Sequence, residues 1–463
     1  MANVFELRGK RVLVVGLART GVATALFCAA RGACVTSTDT RSESEIADAI
    51  KRLHEAGVAW ELGGHREQLL LNQDLIIPSP GVPADAPLLQ AARAQGITIW
   101  SEIELADRFL NGRLIGITGS NGKTTTTSLI EHILRTAGFP TILAGNIGTP
   151  LISCVEQTND RTVTVVELSS FQLELIETFR PNISVFLNLT PDHLDRHGTL
   201  QSYGAAKVRI FENQTESDFA VLNADDAGTA TLAPSRPHVY WFSRKQRVAQ
   251  GAFVRGSEIV FRQDGVEEAV LKLADIPLAG GHNVENVLAA IAATRLAGAE
   301  PAAIAKGVRS FSGVEHRLEF VADIGGVRYY NDSKATNVDA ALKALDAFPG
   351  RILIILGGKD KGSDYTVLQP PLREKAILAL LIGAAADKIE KQIAGSVAIE
   401  RAETIERALE TAAHAAQPGD IVLLAPACAS FDQFQNFEHR GRVFKELVHQ
   451  LERQAASSTF GGR

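Results

Sequence analysis

The 463-residue sequence is sparing in cysteine: Cys28, Cys34, Cys154 and Cys428 stand apart, with no C-x-x-C pair. That scatter argues against a disulfide framework and suits reduced thiols. There is no basic run, and the formal net charge is -6, so nucleic acid is not expected as a partner. No uninterrupted apolar stretch approaches the roughly 18–20 residues that a membrane span requires. Arg8, Lys10 and Arg11, ahead of an apolar stretch ending at Ala30, imitate a secretory signal. Arg19 and the glycines at 16 and 21 interrupt that stretch, and a strand followed by a helix describes it better. Together these absences lead to the expectation of a cytoplasmic protein. Internal repeats and low-complexity tracts are missing as well.

What is present is ordinary in composition, with 45% hydrophobic residues, but too long for a single core. Three blocks are expected, at 1–102, 103–313 and 314–463. In the first, Val12–Val15, Cys34–Thr38 and Leu75–Ile77 read as strands, with a helix over Val22–Ala30. In the second, strands are expected at 114–117, 162–166, 183–188 and 219–223, and a helix from Asn283 to Gly298. In the third, strands are expected at 351–356, 376–382 and 421–425. The tail from Ala455 to Arg463 lacks apolar anchors and is expected to be disordered. The predicted fold class is α/β. Each of three domains is an open, mainly parallel sheet flanked by helices: Rossmann-like, then P-loop-type, then Rossmann-like.

The most informative segment is Ile115-Gly-Ile-Thr-Gly-Ser-Asn-Gly-Lys-Thr-Thr-Thr-Thr127. A buried strand breaks into Gly119, Ser120, Asn121 and Gly122, and Lys123 and Thr124 open a helix. Small loop residues let successive backbone N–H groups point inward, and the helix dipole favours an anion there. Lys123 would reach terminal phosphates, and the Thr124 hydroxyl would bind the accompanying Mg²⁺. Only two residues separate the glycines, so the loop is shorter than the usual nucleotide-binding form. By contrast, Gly16 to Gly21 lacks the middle glycine of the dinucleotide fingerprint, and a loop for another nucleotide diphosphate is at least as good a reading.

Further candidates sit at strand exits. Glu167 closes a buried strand, where a metal ligand belongs beside a phosphate loop. Asp192 and His193 follow another strand and could supply metal or substrate contacts. Lys207, within Tyr203-Gly-Ala-Ala-Lys207, reads on its own as a solvated surface lysine. In the third block Asn331-Asp332-Ser-Lys334-Ala-Thr336-Asn337 follows a strand, and Arg317 offers a planar donor fork for phosphate. With Lys359, Lys361 and Ser430 these make a second anion-binding surface, pointing to a carboxylate-bearing co-substrate.

Taken together, these segments resemble the Mur ligase family, whose members use ATP to form amide bonds in peptidoglycan precursor synthesis. The resemblance covers essentially the whole chain. It is strongest toward the branch that adds D-glutamate to UDP-N-acetylmuramoyl-L-alanine, through residues 167–174, 331–337 and 426–438. The Asn-Pro-Arg signature of the diaminopimelate-adding branch is absent. The resemblance implies ATP and Mg²⁺, the latter at two sites, with Thr124, Glu167, His193 and a carbamylated Lys207 as ligands. It implies catalytic roles for Lys123, Glu167, His193 and Lys207. ATP would lie on Gly119, Ser120, Asn121, Gly122, Lys123, Thr124, Thr125, Asn283, Asn286, Arg317, Asp332 and Lys334. The UDP substrate would contact Arg19, Thr20, Thr40, Arg41, Ser79, Gly81, Asn146 and His193. D-Glutamate would contact Thr336, Lys361, Ser430 and Phe437. A monomer whose three domains close on the substrates is implied too. Lys359 and Arg19 depart from the family pattern.

Readings from other classes are a P-loop hydrolase or small-molecule kinase, a dehydrogenase resting on the first block, and a nucleotide-binding switch. Within the family, a ligase for another amino acid or a folylpolyglutamate synthase competes.

Overall fold

Arg11–Val15, Val163–Glu167 and Ile352–Gly357 are buried over nearly their whole length, the pattern expected of parallel strands covered on both faces. The structure is a computed structural model that describes residues 5–278, 280–360 and 362–460; the side chains of Leu194, Asp195 and residues 456–460 lie outside the description. The described residues form three open sheets.

The first sheet comprises β1 (Arg11–Val15), β2 (Cys34–Asp39), β3 (Ala59–Leu62), β4 (Leu75–Pro78) and β5 (Thr98–Ile99), in the order β3-β2-β1-β4-β5. All its pairings are parallel. The chain reverses direction across β1, so Gly16 and Ser79, just past β1 and β4, open a crevice at the carboxyl edge, where such sheets take ligands.

The second sheet holds β6 (Arg113–Thr118), β7 (Thr141–Gly145), β8 (Val163–Glu167), β9 (Ile183–Phe186), β10 (Phe219–Asn223), β11 (His238–Ser243), β12 (Gly251–Arg255), β13 (Glu258–Gln263) and β14 (Val266–Lys272). Its order is β14-β13-β12-β11-β10-β9-β6-β8-β7. Pairing is parallel from β7 to β12 and antiparallel through β13 and β14. Strands β11 to β14 extend the predicted set. Strand β11 holds the apolar run Val-Tyr-Trp-Phe, whereas the charge-bearing sequences of β13 and β14, such as Glu-Ile-Val-Phe-Arg-Gln, carry little of the continuous apolar signal of the inner strands.

The third sheet consists of β15 (Glu319–Ile324), β16 (Val327–Asn331), β17 (Ile352–Gly357), β18 (Ala376–Ile382), β19 (Ala398–Glu403) and β20 (Ile421–Leu424), ordered β15-β16-β20-β17-β18-β19. Only β15 runs antiparallel.

Six helices carry or border the functional residues: α1 (Arg19–Ala30), α2 (Glu102–Asp107), α3 (Lys123–Thr136), α4 (Leu200–Val208), α5 (Gly281–Leu296) and α6 (Phe437–Phe460). For residues 455–460 the expectation of a disordered tail is corrected by α6, which continues through Ala455 as far as Phe460; residues 461–463 lie outside the described residues. Buried Phe444 and Val448, one turn apart, anchor that helix from its first half, and the helix propagates beyond them. The chain packs as two compact units. One contains the first two sheets and Val284–Arg309; the other contains Ile276–Asn283 and the chain from Ser310 onward. Among the described residues no helix is long and apolar enough to cross a membrane.

Candidate active site

The phosphate loop forms where β6 gives way to α3. Gly122 is left-handed (φ 83°) at the start of α3, and a Cβ there would lie 2.3 Å from Asn286 Oδ1. Glycine is therefore required twice, by backbone angle and by the approach of α5. The loop is laced to the segment after β9: Ser120 N–H donates to the Asn188 carbonyl, and Asn121 N–H to Asn188 Oδ1. The Ser120 hydroxyl donates to the Thr190 carbonyl at 2.8 Å. Lys123 Nζ folds back over the loop, donating to the carbonyls of Gly119 and Ser120 at 2.9 Å each. Asn286 accepts from the Thr126 hydroxyl at 3.2 Å. Asn283 is buried in the first turn of α5.

Glu167 ends β8 with a buried carboxylate. One oxygen accepts from the Thr124 hydroxyl and the other from Asn146 Nδ2, each at 2.8 Å. Asn146 N–H also donates to the Glu167 carbonyl, and Gly145 (φ 101°) leaves room for it, since a Cβ there would meet that carbonyl at 2.4 Å. A carboxylate next to a hydroxyl suits a hard cation such as Mg²⁺, which takes one or two carboxylates and completes its shell with phosphate oxygens and water. Among the described residues no group of three or more His, Cys, Asp and Glu is arranged to hold a metal ion by itself.

Lys207 departs from the surface lysine that its sequence context suggests. It lies on α4 with 1% of its surface exposed, and Nζ donates to the Gly119 carbonyl at 2.9 Å. Nζ also sits 4.5 Å from the centre of the Tyr203 ring. Burial, reinforced by the nearby positive charge of Lys123, pushes its pKa well below the ordinary lysine value; Asp192 and Glu167 act in the opposite direction. His193 has a left-handed backbone (φ 52°), unusual outside glycine, which fits a residue held for a purpose. Its ring lies edge-on to Phe171 and Tyr203, with Nε2 3.7 Å from Asp192.

Beside this loop a cavity of about 400 Å³ opens at the carboxyl edge of the first sheet. Arg19, Thr20, Thr40, Arg41, Ser79, Gly81 and Asn146, all picked from the sequence for one substrate, line it together; His193 is not in that lining. Gly21 has a packing reason: a Cβ would lie 1.8 Å from the Gly16 carbonyl oxygen, so α1 can start against β1 only with glycine there. Ser79 donates its hydroxyl to the same carbonyl at 2.7 Å. Sequence reasoning overlooked Asp39, His65 and Gln172, which also line the cavity. The signal for Asp39 was its place at the end of the second strand, where sheets of this type put an acidic residue. Here it braces the wall, accepting from Leu17 N–H at 2.6 Å and from the Arg41 guanidinium at 2.7 Å. The hydrogen bonds from Arg41 hold its carboxyl far below the usual range.

In the second unit the polar loops converge at the carboxyl ends of β16, β17 and β20. Asp332 is buried and accepts from Leu318 N–H at 3.2 Å; burial raises its pKa to about 6, with Arg317 and Lys334 opposing. His316 and Leu318, on either side of Arg317, both have positive φ, a tight segment that fixes the arginine's origin. Thr336 N–H donates to the Lys334 carbonyl. Ser430 is buried past β20, and Phe437 opens α6. Fully buried Arg440 ties these loops, donating to Ser333 Oγ at 3.0 Å, to the Ser333 carbonyl at 2.9 Å and to the Cys428 carbonyl at 3.2 Å. Lys361 lies outside the described residues; Lys359 N–H pairs with the Ala429 carbonyl.

Residues 10–101 match the Mur ligase MurD-like N-terminal domain, 117–294 the Mur ligase middle domain, and 316–428 the Mur ligase glutamate ligase domain. The chain is 54% identical over 450 residues to a UDP-N-acetylmuramoylalanine–D-glutamate ligase of Koribacter versatilis, covering 97% of this chain and 99% of that one. A second such ligase, from Acidobacterium capsulatum, is 54% identical over 96% of this chain and 97% of its own. In fold, the chain is similar to a MurF ligase from Thermotoga maritima solved with ADP (TM-score 0.58, 16% identity, 97% of each chain covered). With all three of its domains matched in order and half its residues shared with full-length relatives, the chain belongs to the Mur ligase family.

Proposed function

We propose that the protein is a cytoplasmic, ATP-dependent ligase that joins the amine of D-glutamate to the L-alanine carboxylate of UDP-N-acetylmuramoyl-L-alanine. One observation carries this reading: the Glu167 carboxylate touches both the phosphate loop, at Thr124, and the wall of the 400 Å³ cavity, at Asn146. A substrate lodged in the cavity by a nucleotide diphosphate would present its far end to the γ-phosphate. The start of α1, with Arg19 and Thr20, supplies backbone N–H groups and charge for the diphosphate. Residues 1–102 then serve the UDP substrate, 103–313 the phosphates, and 314–463 the amino acid through Thr336, Lys361, Ser430 and Phe437.

The chemistry is carboxylate activation. A carboxylate oxygen takes the γ-phosphoryl group, ADP leaves, and the amine then attacks the acyl carbon and expels phosphate. Triphosphate and carboxylate repel each other, so the chain's task is neutralisation and alignment. Lys123, now resting on loop carbonyls, exchanges them for phosphate oxygens. Asn283, Asn286, Arg317, Asp332 and Lys334 serve the remainder of ATP. Mg²⁺, when bound, supplies charge neutralisation between the phosphates and the acyl oxygen. Thr124 and Glu167 would hold it, with His193 and a carbamylated Lys207 completing the pair of metal positions. A neutral buried amine is the form of lysine able to add CO₂, and its burial at Gly119 favours that form. The protein acts as a monomer.

The test is ADP release by purified protein with UDP-N-acetylmuramoyl-L-alanine and each of D-glutamate, L-alanine, L-lysine and diaminopimelate. D-Glutamate alone should drive turnover. Equal turnover with another amino acid would remove the assignment, and turnover with no acceptor would favour a hydrolase.

A further inference from the structure

A second polar cavity, of about 230 Å³, lies at the other end of the central sheet from the phosphate loop. It is bounded by Asp107 at the end of α2, Arg113 at the start of β6, Thr164 in β8, and Arg180 and Asn182 ahead of β9. Five residue steps along β6, about 16 Å, separate Arg113 from Thr118 at the phosphate loop. Nothing in the proposed ligase reaction uses this cavity.

Three features mark it as built for an occupant. Thr164 is 1% exposed, yet its hydroxyl has no hydrogen-bond partner among the described residues. Buried hydroxyls are normally satisfied, so one that lines a cavity points to a ligand or water there. Next, Asp107 and Arg113 carry opposite charges and neither forms an ion pair among the described residues. Their neighbours do: Arg180 with Asp218 at 2.8 Å, and Arg108 with Glu104 at 2.7 Å. Among the described residues Asp107 accepts only a long bond from Arg180 N–H (3.3 Å), while Arg113 donates to the Ala297 carbonyl at 3.1 Å. Burial, with Glu104 adding to it, pushes the Asp107 carboxyl up to about 7. Finally, Asn182 Oδ1 already accepts from Leu114 N–H at 2.8 Å, which turns its amide into a donor toward any further partner.

The mixed charges select the ligand. A simple anion would meet Asp107, and a simple cation would meet Arg113 and Arg180. A molecule carrying both charges a few ångströms apart satisfies both sides. The volume, roughly eight waters at about 30 Å³ each, accommodates one small amino acid. We propose that this cavity is a second amino-acid site that binds a small zwitterionic α-amino acid, its carboxylate toward Arg113 and the Asn182 amide and its ammonium toward Asp107 and Thr164.

Calorimetric titration of the full chain, without ATP or UDP substrate, tests this with glycine and L-alanine as probes. Acetate, methylammonium and inorganic phosphate serve as single-charge controls. Saturable binding of an amino acid is expected, weakened at least tenfold in both Asp107→Asn and Arg113→Gln. Arg113 is exposed, so its variant keeps the fold even if the Asp107 change disturbs packing. Thr164→Val, nearly isosteric, should weaken binding as well. Absence of saturable binding, which would mean a water-filled cavity, overturns the proposal. So does binding unchanged in all three variants, or acetate or phosphate binding as tightly as glycine, which would mean an anion site only.

Discussion

Replacing Glu167 by glutamine separates its chemical role from its structural one. The carboxylate takes one hydrogen bond from the Thr124 hydroxyl and one from the Asn146 amide, both at 2.8 Å. Glutamine keeps the length and one acceptor oxygen. Its NH₂ either faces Asn146 Nδ2, donor against donor, or faces Thr124, whose hydroxyl can turn and accept. In the second arrangement both contacts persist as neutral hydrogen bonds. The folded state then loses the difference between charged and neutral bonds, about 1–2 kcal/mol, offset by no longer burying a carboxylate. Thermal unfolding should shift by no more than about 4 °C. Catalysis loses a negative charge beside the phosphate loop. By comparison with the loss of one preorganised electrostatic group, ADP release should fall about 10²–10³-fold, or about 3–4 kcal/mol of transition-state stabilisation. The assay pairs saturating-substrate ADP release with a melting curve. A variant retaining more than about a tenth of wild-type turnover would refute the reasoning. Inactivity accompanied by a drop above about 10 °C would recast Glu167 as a structural tie.

Three further outcomes are expected. Glu102 is 2% exposed, and burial raises its carboxyl from 4.5 to about 7, so the folded state holds a proton that the unfolded chain releases. Stability from that group is full below pH 4.5 and declines as pH rises to 7; the Glu102→Gln variant should therefore gain on the parent by up to about 3 kcal/mol across this window, read from urea unfolding at pH 5 and 8. A constant difference would contradict the assignment. Gly122→Ala places a Cβ 2.3 Å from Asn286 Oδ1 at φ 83°, so ATP affinity should fall at least about tenfold with about 1–3 kcal/mol of destabilisation, measured by nucleotide titration and melting. Unchanged affinity would show that the loop tolerates α5 moving away. Lys207→Ala should lose turnover, with partial recovery in bicarbonate or short carboxylic acids. Full activity without rescue would remove a carbamate from the reaction.

The phosphate loop, the inner parallel strands and the residues that line the first-sheet cavity were legible because each depends on local chemistry. Glycines mark loops, and runs such as Ile352–Leu356 mark buried strands. Seven of the eight residues picked for the UDP substrate come from four separate segments, yet strand order delivers them to one cavity wall; His193 is outside that lining. Lys207 shows the limit. Its neighbours in sequence are small and neutral, and only the packing of α4 beneath Gly119 makes it a buried amine. Asp39 was visible as a strand-end acid, but its pairing with Arg41 and Leu17 N–H needed coordinates. Strands β11–β14 were missed as well. In β13 and β14 the charged residues Glu258, Arg262, Glu267 and Glu268 interrupt the continuous apolar run that marks a doubly covered strand. The tail was misjudged because helix propagation from Phe444 and Val448 does not require apolar residues in every later turn.

The central claim is that the loop at Gly119–Thr124 delivers the γ-phosphoryl group to a carboxylate, and oxygen transfer tests it directly. UDP-N-acetylmuramoyl-L-alanine labelled with ¹⁸O in its terminal carboxylate would be turned over with ATP and D-glutamate, and the released phosphate analysed by mass spectrometry. One ¹⁸O atom should appear in each phosphate, since the oxygen that attacks phosphorus leaves with it when the amide forms. Phosphate free of label would contradict the account.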